Sequence, residues 1–337
     1  MNVVTKNRFD CLGTNEGDIN RGERIVSQGN QTQEKTAHNA VIEGKILSLE
    51  QTSDLCKSFT VEDVRAALWS IEDDKAPGPD GFSSKFYKAS WDIVKNEICE
   101  VVLSFFNHVR LLKQVNNTLL TMVSKDEDDV FVSQYRHIAC CNVIYKIISK
   151  LLCLRLKTIL PGLISENQGA FVEGQSILDN ILVCQDMLKN YNNRRKAPRC
   201  TVKVDLRKTY DSVHALFVGW VMECISTPSY SIMINGGLHG FFKGERGIRQ
   251  EDPISSLLFV LVIEYLSKLL RKVSGLRDYK FHQGCKHLGL THLVFADDLM
   301  LFSHGDKKSF SLLIRALKTF EKVSKLVSNS NKTVVYF

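Results

Sequence analysis

Hydrophobic and polar residues along the chain follow two periods, which predicts a mixture of helices and strands. Val61, Val64 and Leu68 recur at the spacing of a helix, whereas Val202 and Val204 alternate with polar neighbours as in a half-buried strand. The pattern predicts helices over 61–73, 85–109, 143–160, 177–191, 254–273 and 310–323. It predicts strands over 118–123, 200–206, 229–234, 240–243 and 333–337. Prolines and glycines make 75–81 a loop.

One apolar stretch near the C-terminus contains two adjacent carboxylates. Residues 293–302 read Leu-Val-Phe-Ala-Asp-Asp-Leu-Met-Leu-Phe, which predicts two short buried strands joined by a tight turn at 296–298. Placing two like charges beside an apolar sheet is costly unless a cation neutralises them, and a divalent metal does so most simply. Asp is also a common turn residue, so a solvated hairpin turn explains this stretch equally well.

A second carboxylate lies in an apolar strand upstream. Asp205 stands near the C-terminal end of the predicted strand 200–206. It could converge with Asp297 and Asp298 on two Mg²⁺ ions. Nucleotidyl transfer requires such an arrangement of hard oxygen ligands, because one metal activates the attacking hydroxyl and the other stabilises the leaving pyrophosphate.

Composition narrows the classes of protein that the chain can belong to. The hydrophobic content of 44% is ample for a core, and the formal net charge of +7 favours a polyanionic partner without requiring one. The ten cysteines include no Cys-x-x-Cys pair, so neither a disulfide framework nor a zinc finger is expected. Cys285, His287 and His292 do not match the spacing of a zinc site.

No membrane segment or targeting signal is expected. The N-terminus is polar and has no apolar core segment, so it does not resemble a signal peptide. The longest apolar run, 257–263, is interrupted by Glu264, whereas a membrane span needs about 20 apolar residues. We expect a soluble protein of the nucleus or cytoplasm with no membrane partner.

Several motifs resemble one family when they are taken in order. The first three are Lys-Ala-Pro-Gly-Pro-Asp-Gly-Phe at 75–82, Tyr-Arg-His-Ile-Ala-Cys-Cys-Asn at 135–142 and Gln-Gly-Ala-Phe-Val at 168–172. Three more follow: Lys-Val-Asp-Leu-Arg-Lys-Thr-Tyr-Asp-Ser-Val at 203–213, Gly-Ile-Arg-Gln-Glu-Asp-Pro at 247–253 and Phe-Ala-Asp-Asp at 295–298. Together they resemble the fingers and palm of a reverse transcriptase from a plant LINE-type (non-LTR) retrotransposon. The likeness extends over roughly 60–337.

The resemblance implies a fold and an activity. The fold would be α+β, like a right-hand polymerase, with fingers, an antiparallel palm sheet packed on helices, and no thumb. Residues 53–200 would be the fingers and start of the palm, and 201–337 the palm with its metal site. Residues 1–52 are polar with little periodicity, which predicts a disordered or loosely helical lead-in. The activity would be that of an RNA-directed DNA polymerase. Its partners would be an RNA template, a DNA primer and dNTPs, and its cofactors two Mg²⁺ ions, with Mn²⁺ as a possible substitute.

The resemblance also assigns the catalytic residues. Asp205, Asp297 and Asp298 would bind the metals, although the second Asp of such a pair can act only as electrostatic support. Tyr210 would lie beneath the incoming sugar and exclude a ribose 2′-hydroxyl. A core aromatic is the alternative for Tyr210.

Five further residues would contact substrates. Arg249 and Gln250 would contact the nascent base pair and the template. Lys125 and Arg136 would neutralise the triphosphate. Lys332 would act as a general acid for pyrophosphate, with a plain exposed lysine as the alternative.

The chain also departs from the family pattern. Glu251 replaces the glycine of Arg-Gln-Gly-Asp-Pro, adding bulk and negative charge where a backbone should approach nucleic acid. The segment 213–220 is shorter than the family requires. These departures predict a truncated and degenerate copy. Two alternatives therefore stay open: an inactive relic that at most binds nucleic acid, and a product that does not fold stably.

Overall fold

Two four-stranded β-sheets, with helices packed on them, make up the described part of the chain. This computed structural model describes residues 47–337 except 125–129, 173, 176, 189–197, 206–214, 235, 245–247, 297, 325, 327, 329–332 and 337, and only the backbone at 133, 177, 179, 188, 205 and 215. The helices are α1 Leu49–Cys56, α2 Val61–Trp69, α3 Ser84–Ala89, α4 Trp91–His108, α5 Val143–Leu163, α6 Ile177–Leu188, α7 Ala215–Ser226, α8 Pro253–Ser274 and α9 Lys307–Ser324. The strands are β1 Asn117–Ser124, β2 Tyr135–Cys141, β3 Arg199–Asp205, β4 Ser229–Ile234, β5 Gly237–Lys243, β6 His292–Phe295, β7 Asp298–His304 and β8 Val334–Tyr336.

The two sheets differ in how their strands pair. The first has the order β2-β1-β4-β5, and its β1 and β4 are parallel. The second has the order β6-β7-β3-β8, and all of its pairs are antiparallel. The second sheet is therefore the antiparallel sheet on helices that the sequence predicts.

Side-chain caps set the start of several helices. Thr60 and Asp63 form a reciprocal capping box, in which the Asp63 carboxylate accepts from the Thr60 amide at 2.8 Å, so α2 begins where predicted. α2 ends at Trp69, four residues before the predicted end at residue 73.

The prediction of one helix over 85–109 was wrong, because the chain leaves helical geometry at Ser90. The Ser90 hydroxyl donates to the Phe86 carbonyl at 2.7 Å, and α3 and α4 are separate helices on either side. A serine that bonds back to the preceding turn competes with the helical backbone in this way.

α1, β2 and α7 were not among the predicted helices and strands. α1 has a capping box formed by Ser48 and Gln51, so the end of the lead-in is helical, which is one of the two alternatives that the sequence left open. β2 was missed because its exposure does not alternate, since its C-terminal half is buried on both faces. α7 begins after a gap in the described residues, and Phe217 and Trp220 on it are buried in the main core.

α8 is a largely buried helix that lies beside the second sheet. It is the one described helix that is long and apolar enough to cross a membrane, yet 72% of its most apolar window is buried inside the structure, as expected for a core helix. Its single acid, Glu264, is also buried and accepts from the amide and hydroxyl of Ser165 at 2.8 and 2.6 Å. These bonds compensate for the cost of desolvating the carboxylate.

Candidate active site

The two carboxylates of the C-terminal stretch lie at a two-residue hairpin. Phe295 on β6 pairs with Asp298 on β7, so Ala296 and Asp297 form the connection. Ala296 has a φ of 54°, the left-handed conformation that two-residue hairpins require. The predicted turn over 296–298 is therefore one residue too long, because Asp298 already belongs to β7. Asp297 lies outside the described residues.

The register of β3 and β7 brings two predicted carboxylates together. Asp205 is the direct partner of Asp298 in the antiparallel ladder. Directly opposite residues project from the same face, with Cβ atoms about 4.5–5.5 Å apart. Residues that are 93 positions apart in sequence are thereby adjacent. The side chain of Asp205 lies outside the described residues, so its role as a metal ligand stays a prediction.

Lys203 is a charged neighbour that the sequence analysis did not single out. Its Nζ lies 3.0 Å from Asp298 Oδ1, and the two side chains are 44% and 48% exposed. Lys203 is two residues before Asp205 on β3 and therefore projects from the same face. The alternation within 200–206 could have identified it.

This face is covered at one end and open at the carboxylate end. Leu293 and Phe302 pack against Cys184 and Met187 of α6, which closes the far end. Asp298 and Lys203 at the near end remain about half exposed.

The opposite face of the sheet is closed along β3, β6 and β7. Val204, Val294 and Leu299 on that face have no exposed surface. His292, on the same face as Val294, reaches the hydroxyl of Ser267 on α8 with its Nε2 at 2.8 Å. Along β3, β6 and β7 this face is therefore shielded from solvent.

Arg249 of the Arg-Gln-Glu-Asp-Pro segment is buried rather than presented to solvent. It is 5% exposed, its guanidinium carbon lies 4.0 Å from the centre of the Tyr145 ring, and its Nη2 donates to the Asn116 side chain and, at 3.2 Å, to the Cys224 carbonyl. Gln250 beside it is exposed. Of these two predicted substrate contacts, Gln250 is the residue with an accessible side chain, and both roles stay predictions.

Asp252 ends this segment as the cap of α8. Its carboxylate accepts from the amide of Ile254, and Pro253 is the first residue of the helix. The hydroxyls of Tyr145 and Ser149 also donate to it, the former at 2.5 Å. Burial, and then the negative charge of Asp252, raise the pKa of Tyr145 well above its ordinary value, so its hydroxyl stays a donor.

Glu251 has a backbone conformation that favours glycine. Its φ is 69°, and its side chain is exposed. The position where the family has glycine is therefore one where an L-residue is strained. The sequence comparison identified the substitution, but only the backbone shows its conformational cost.

The remaining predicted contacts are distributed as follows. Arg136 is exposed on β2, opposite Val123 on β1. Lys125, Tyr210 and Lys332 lie outside the described residues. Among the residues that the structure does describe, no three His, Cys, Asp or Glu side chains are grouped to hold a metal ion, and none of the nine described cysteines forms a disulfide.

Comparison with known proteins gives a family match and several relatives from transposable elements. Residues 123–337 match the family model described as reverse transcriptase (RNA-dependent DNA polymerase). The chain is 26% identical over 241 residues to the transposon TX1 uncharacterized 149 kDa protein of Xenopus laevis, covering 67% of this chain and 18% of that protein. It is 25% identical over 249 residues to the Pol polyprotein from the type-1 retrotransposable element R2 of Nasonia vitripennis, covering 68% and 22%. An uncharacterized mitochondrial protein of Arabidopsis thaliana is 38% identical over 69 residues, 20% of this chain and 55% of that protein.

The residues matched by the family model include those that form the candidate site. The chain spans about a fifth of the length of the first two relatives. The family model covers well over half of this chain, including the second sheet and the Asp205–Asp298 pair. Members of the family generally act on a nucleic-acid template and primer with dNTPs and use divalent metals. The chain belongs to the reverse transcriptase (RNA-dependent DNA polymerase) family and has relatives among non-LTR retrotransposons.

Proposed function

We propose that this chain is the polymerase region of a LINE-type retrotransposon protein and extends a DNA primer on an RNA template. The observation that supports this most is the register that pairs Asp205 with Asp298, whose own side chain is about half exposed. Nucleotidyl transfer needs carboxylates that are held on neighbouring strands and are accessible to a phosphate chain.

The residues at this site fit two divalent cations, Mg²⁺ or Mn²⁺. The carboxylate of Asp298 offers hard oxygen ligands, and the register places Asp205 directly opposite it. We assign Asp205 and Asp297 as the other ligands, as the resemblance implies. Bound there, the cations would supply Lewis-acid activation of the primer hydroxyl and charge stabilisation of the pyrophosphate. Lys203 holds the Asp298 carboxylate through an ion pair at 3.0 Å, which partly neutralises this acidic end of the sheet.

The other residues would position the substrates. Gln250 has an exposed side chain that can contact the base pair, and Arg136 has an exposed guanidinium that can pair with phosphate oxygens. We assign Lys125 to the triphosphate, Tyr210 to the sugar and Lys332 to the pyrophosphate, as the resemblance implies.

We also propose that the element is of plant origin and degenerate. The match to the Arabidopsis thaliana protein supports the plant origin, since that relative has the highest identity among the three described above. The strained Glu251 in the place of glycine supports degeneracy.

Primer extension tests the polymerase proposal directly. Extension of a DNA primer on an RNA template should require Mg²⁺ or Mn²⁺ and should fall to background in Asp205→Asn and Asp298→Asn. Asn keeps the size of the side chain and removes the charge that binds a cation, so circular dichroism should show both variants folded. Incorporation by the wild type no greater than by Asp205→Asn would refute polymerase activity for this copy.

An inactive nucleic-acid-binding relic is the second candidate function. Glu251 and the net charge of +7 favour it, because the charge can bind a phosphate backbone without catalysis. It predicts RNA binding that weakens with salt and is unchanged in Asp205→Asn, without any extension. Salt-independent binding would exclude it.

A further inference from the structure

We propose that Tyr145 and Ser149 of α5 are positioning residues that fix the exposed pair Gln250 and Glu251 at the substrate side of the site. This inference rests on the proposed function for its substrate, but the contacts that support it are independent of catalysis. Neither residue was a candidate from the sequence, because both read as part of an apolar helix.

The first step is the buried carboxylate of Asp252. Both of its oxygens are occupied, one by the Tyr145 hydroxyl at 2.5 Å and the other by the Ser149 hydroxyl. Ser149 also accepts from the amide of Ile254 at 3.2 Å. One carboxylate thus joins α5 to the first turn of α8, and a charge-assisted bond of this kind is stronger than a neutral one.

The second step is the guanidinium of Arg249. It stacks on the Tyr145 ring and donates to Asn116, which precedes β1, and to Cys224 of α7. Tyr145 therefore contacts the buried residues on both sides of the pair, with its ring at Arg249 and its hydroxyl at Asp252. Gln250 and Glu251 are exposed between these two anchors, and the backbone at Glu251 has a φ of 69°.

The third step concerns the loop 75–81, a second motif of the family resemblance, which also contacts α5. Lys146 Nζ donates to the Ala76 carbonyl at 2.6 Å, and Asn142 Oδ1 accepts from the Asp80 amide at 3.2 Å. A Cβ on Gly78 would lie 2.3 Å from the Asn142 backbone nitrogen, so the loop 75–81 sits directly on the start of α5. Asn142, Tyr145 and Ser149 recur at helical spacing, so one stripe of α5 aligns two motifs.

Lys75 provides a further link between the two motifs. The negative charge of Glu251 contributes to raising the pKa of Lys75, after the larger effect of Glu72, so the loop and the Gln250–Glu251 pair lie within electrostatic range. Moving one motif relative to the other would therefore change the surface that faces a substrate.

Tyr145→Phe tests the positioning role, and Tyr279→Phe is its matched control. Both substitutions remove one buried hydroxyl donor, since Tyr279 donates to the Phe302 carbonyl at 2.7 Å away from the segment 249–252. We expect Tyr145→Phe to raise the KM for dNTP about tenfold with a smaller change in kcat. Tyr279→Phe should leave KM unchanged, and primer–template affinity should be the same in both variants.

Hydrogen exchange makes the inference testable without catalysis. Amides of 250–255 should exchange about tenfold faster in Tyr145→Phe than in the wild type and at the wild-type rate in Tyr279→Phe. Ser149→Ala should resemble Tyr145→Phe in both measurements.

These measurements separate the two proposals. If the wild type does not extend a primer, the polymerase proposal fails while hydrogen exchange still decides the positioning role. Equal exchange in 250–255 for Tyr145→Phe and Tyr279→Phe, or a KM shift of equal size in both, would overturn the inference.

Discussion

Glu251 combines two separate disadvantages at one position. Its φ of 69° strains an L-residue by about 1 kcal/mol, and its charge faces the side where we expect nucleic acid. Different substitutions separate these effects. Glycine relieves both, glutamine removes only the charge, and alanine removes the charge and the longer side chain but keeps the Cβ.

Glu251→Gly should stabilise the fold and increase primer extension. The free energy of unfolding should rise by about 0.5–1 kcal/mol, because relief of strain is partly offset by a more flexible unfolded chain. Urea melts measure this change, and Glu251→Ala should give no comparable gain. A loss of stability in Glu251→Gly would contradict the backbone conformation described above.

Lys203 competes with a cation for the Asp298 carboxylate. Lys203→Gln should therefore strengthen Mg²⁺ binding several-fold, measured by calorimetry at low ionic strength, because one positive charge leaves the site. Lys308→Gln is the matched control, since Lys308 forms an exposed ion pair with Asp278 at 3.8 Å. The same increase in both variants would show a general charge effect and refute a local one.

At the scale of elements, buried polar groups connect the sheet to its helices. The ring of His292 on β6 shares hydrogen bonds with the hydroxyls of Ser267 on α8 and of Thr291. Burial, and to a smaller extent the positive charge of Arg271, lower the pKa of His292 to about 3. Burial and the charge of Arg199 lower the pKa of His282 to about 4. Both rings are therefore neutral in the folded protein at neutral pH.

These histidines should make the fold sensitive to acid. Their folded pKa values lie below the ordinary value of 6.5, so the unfolded chain takes up protons first as the pH falls. Stability should be full above about pH 7 and should decline between pH 6.5 and 4, by about 3 kcal/mol in total at pH 5.5. Urea melts measure the slope, and His292→Gln should reduce it by about half. An unchanged slope would exclude His292 as the cause.

The loop 75–81 depends on a glycine that touches a helix. Gly78→Ala should destabilise the fold by several kcal/mol, since the added Cβ would lie 2.6 Å from the Asn142 Cα, and backbone cannot move aside cheaply. Gly162→Ala in α5 is the control, because its Cβ would meet only the end of Gln51 at 3.6 Å, and it should stabilise by up to about 1 kcal/mol. Thermal melts compare the two. Equal stability of Gly78→Ala and the wild type would refute the close approach.

At the scale of the whole molecule, motifs from distant parts of the chain meet on α5 and at the β3–β7 pair. The loop 75–81 and the segment 249–252 contact one stripe of α5, and Asp205 meets Asp298 across two strands. In the sequence these motifs are only an ordered series. The resemblance predicted that they belong together, but it did not predict which of them support the others.

Local patterns and ordered motifs were enough to predict the class of fold, most helices and strands, and the family. Helical and strand periods are local properties, so α2, α5, α8, β1, β3 and β4 followed from short windows of residues, and the hairpin before Asp298 followed from an apolar run with a polar interruption. The ordered motifs identified the reverse transcriptase family, which the family match confirms.

Which motif residues are buried could not be predicted from the sequence, because it depends on how distant segments pack. Arg249 reads as a cation free to contact a substrate, yet packing on Tyr145 makes it 5% exposed, whereas Gln250 next to it is open to solvent. Register likewise decided that Lys203 pairs with Asp298, and backbone dihedrals decided that Glu251 is strained. Burial, register and φ arise from contacts between residues far apart in the chain, so no local pattern encodes them.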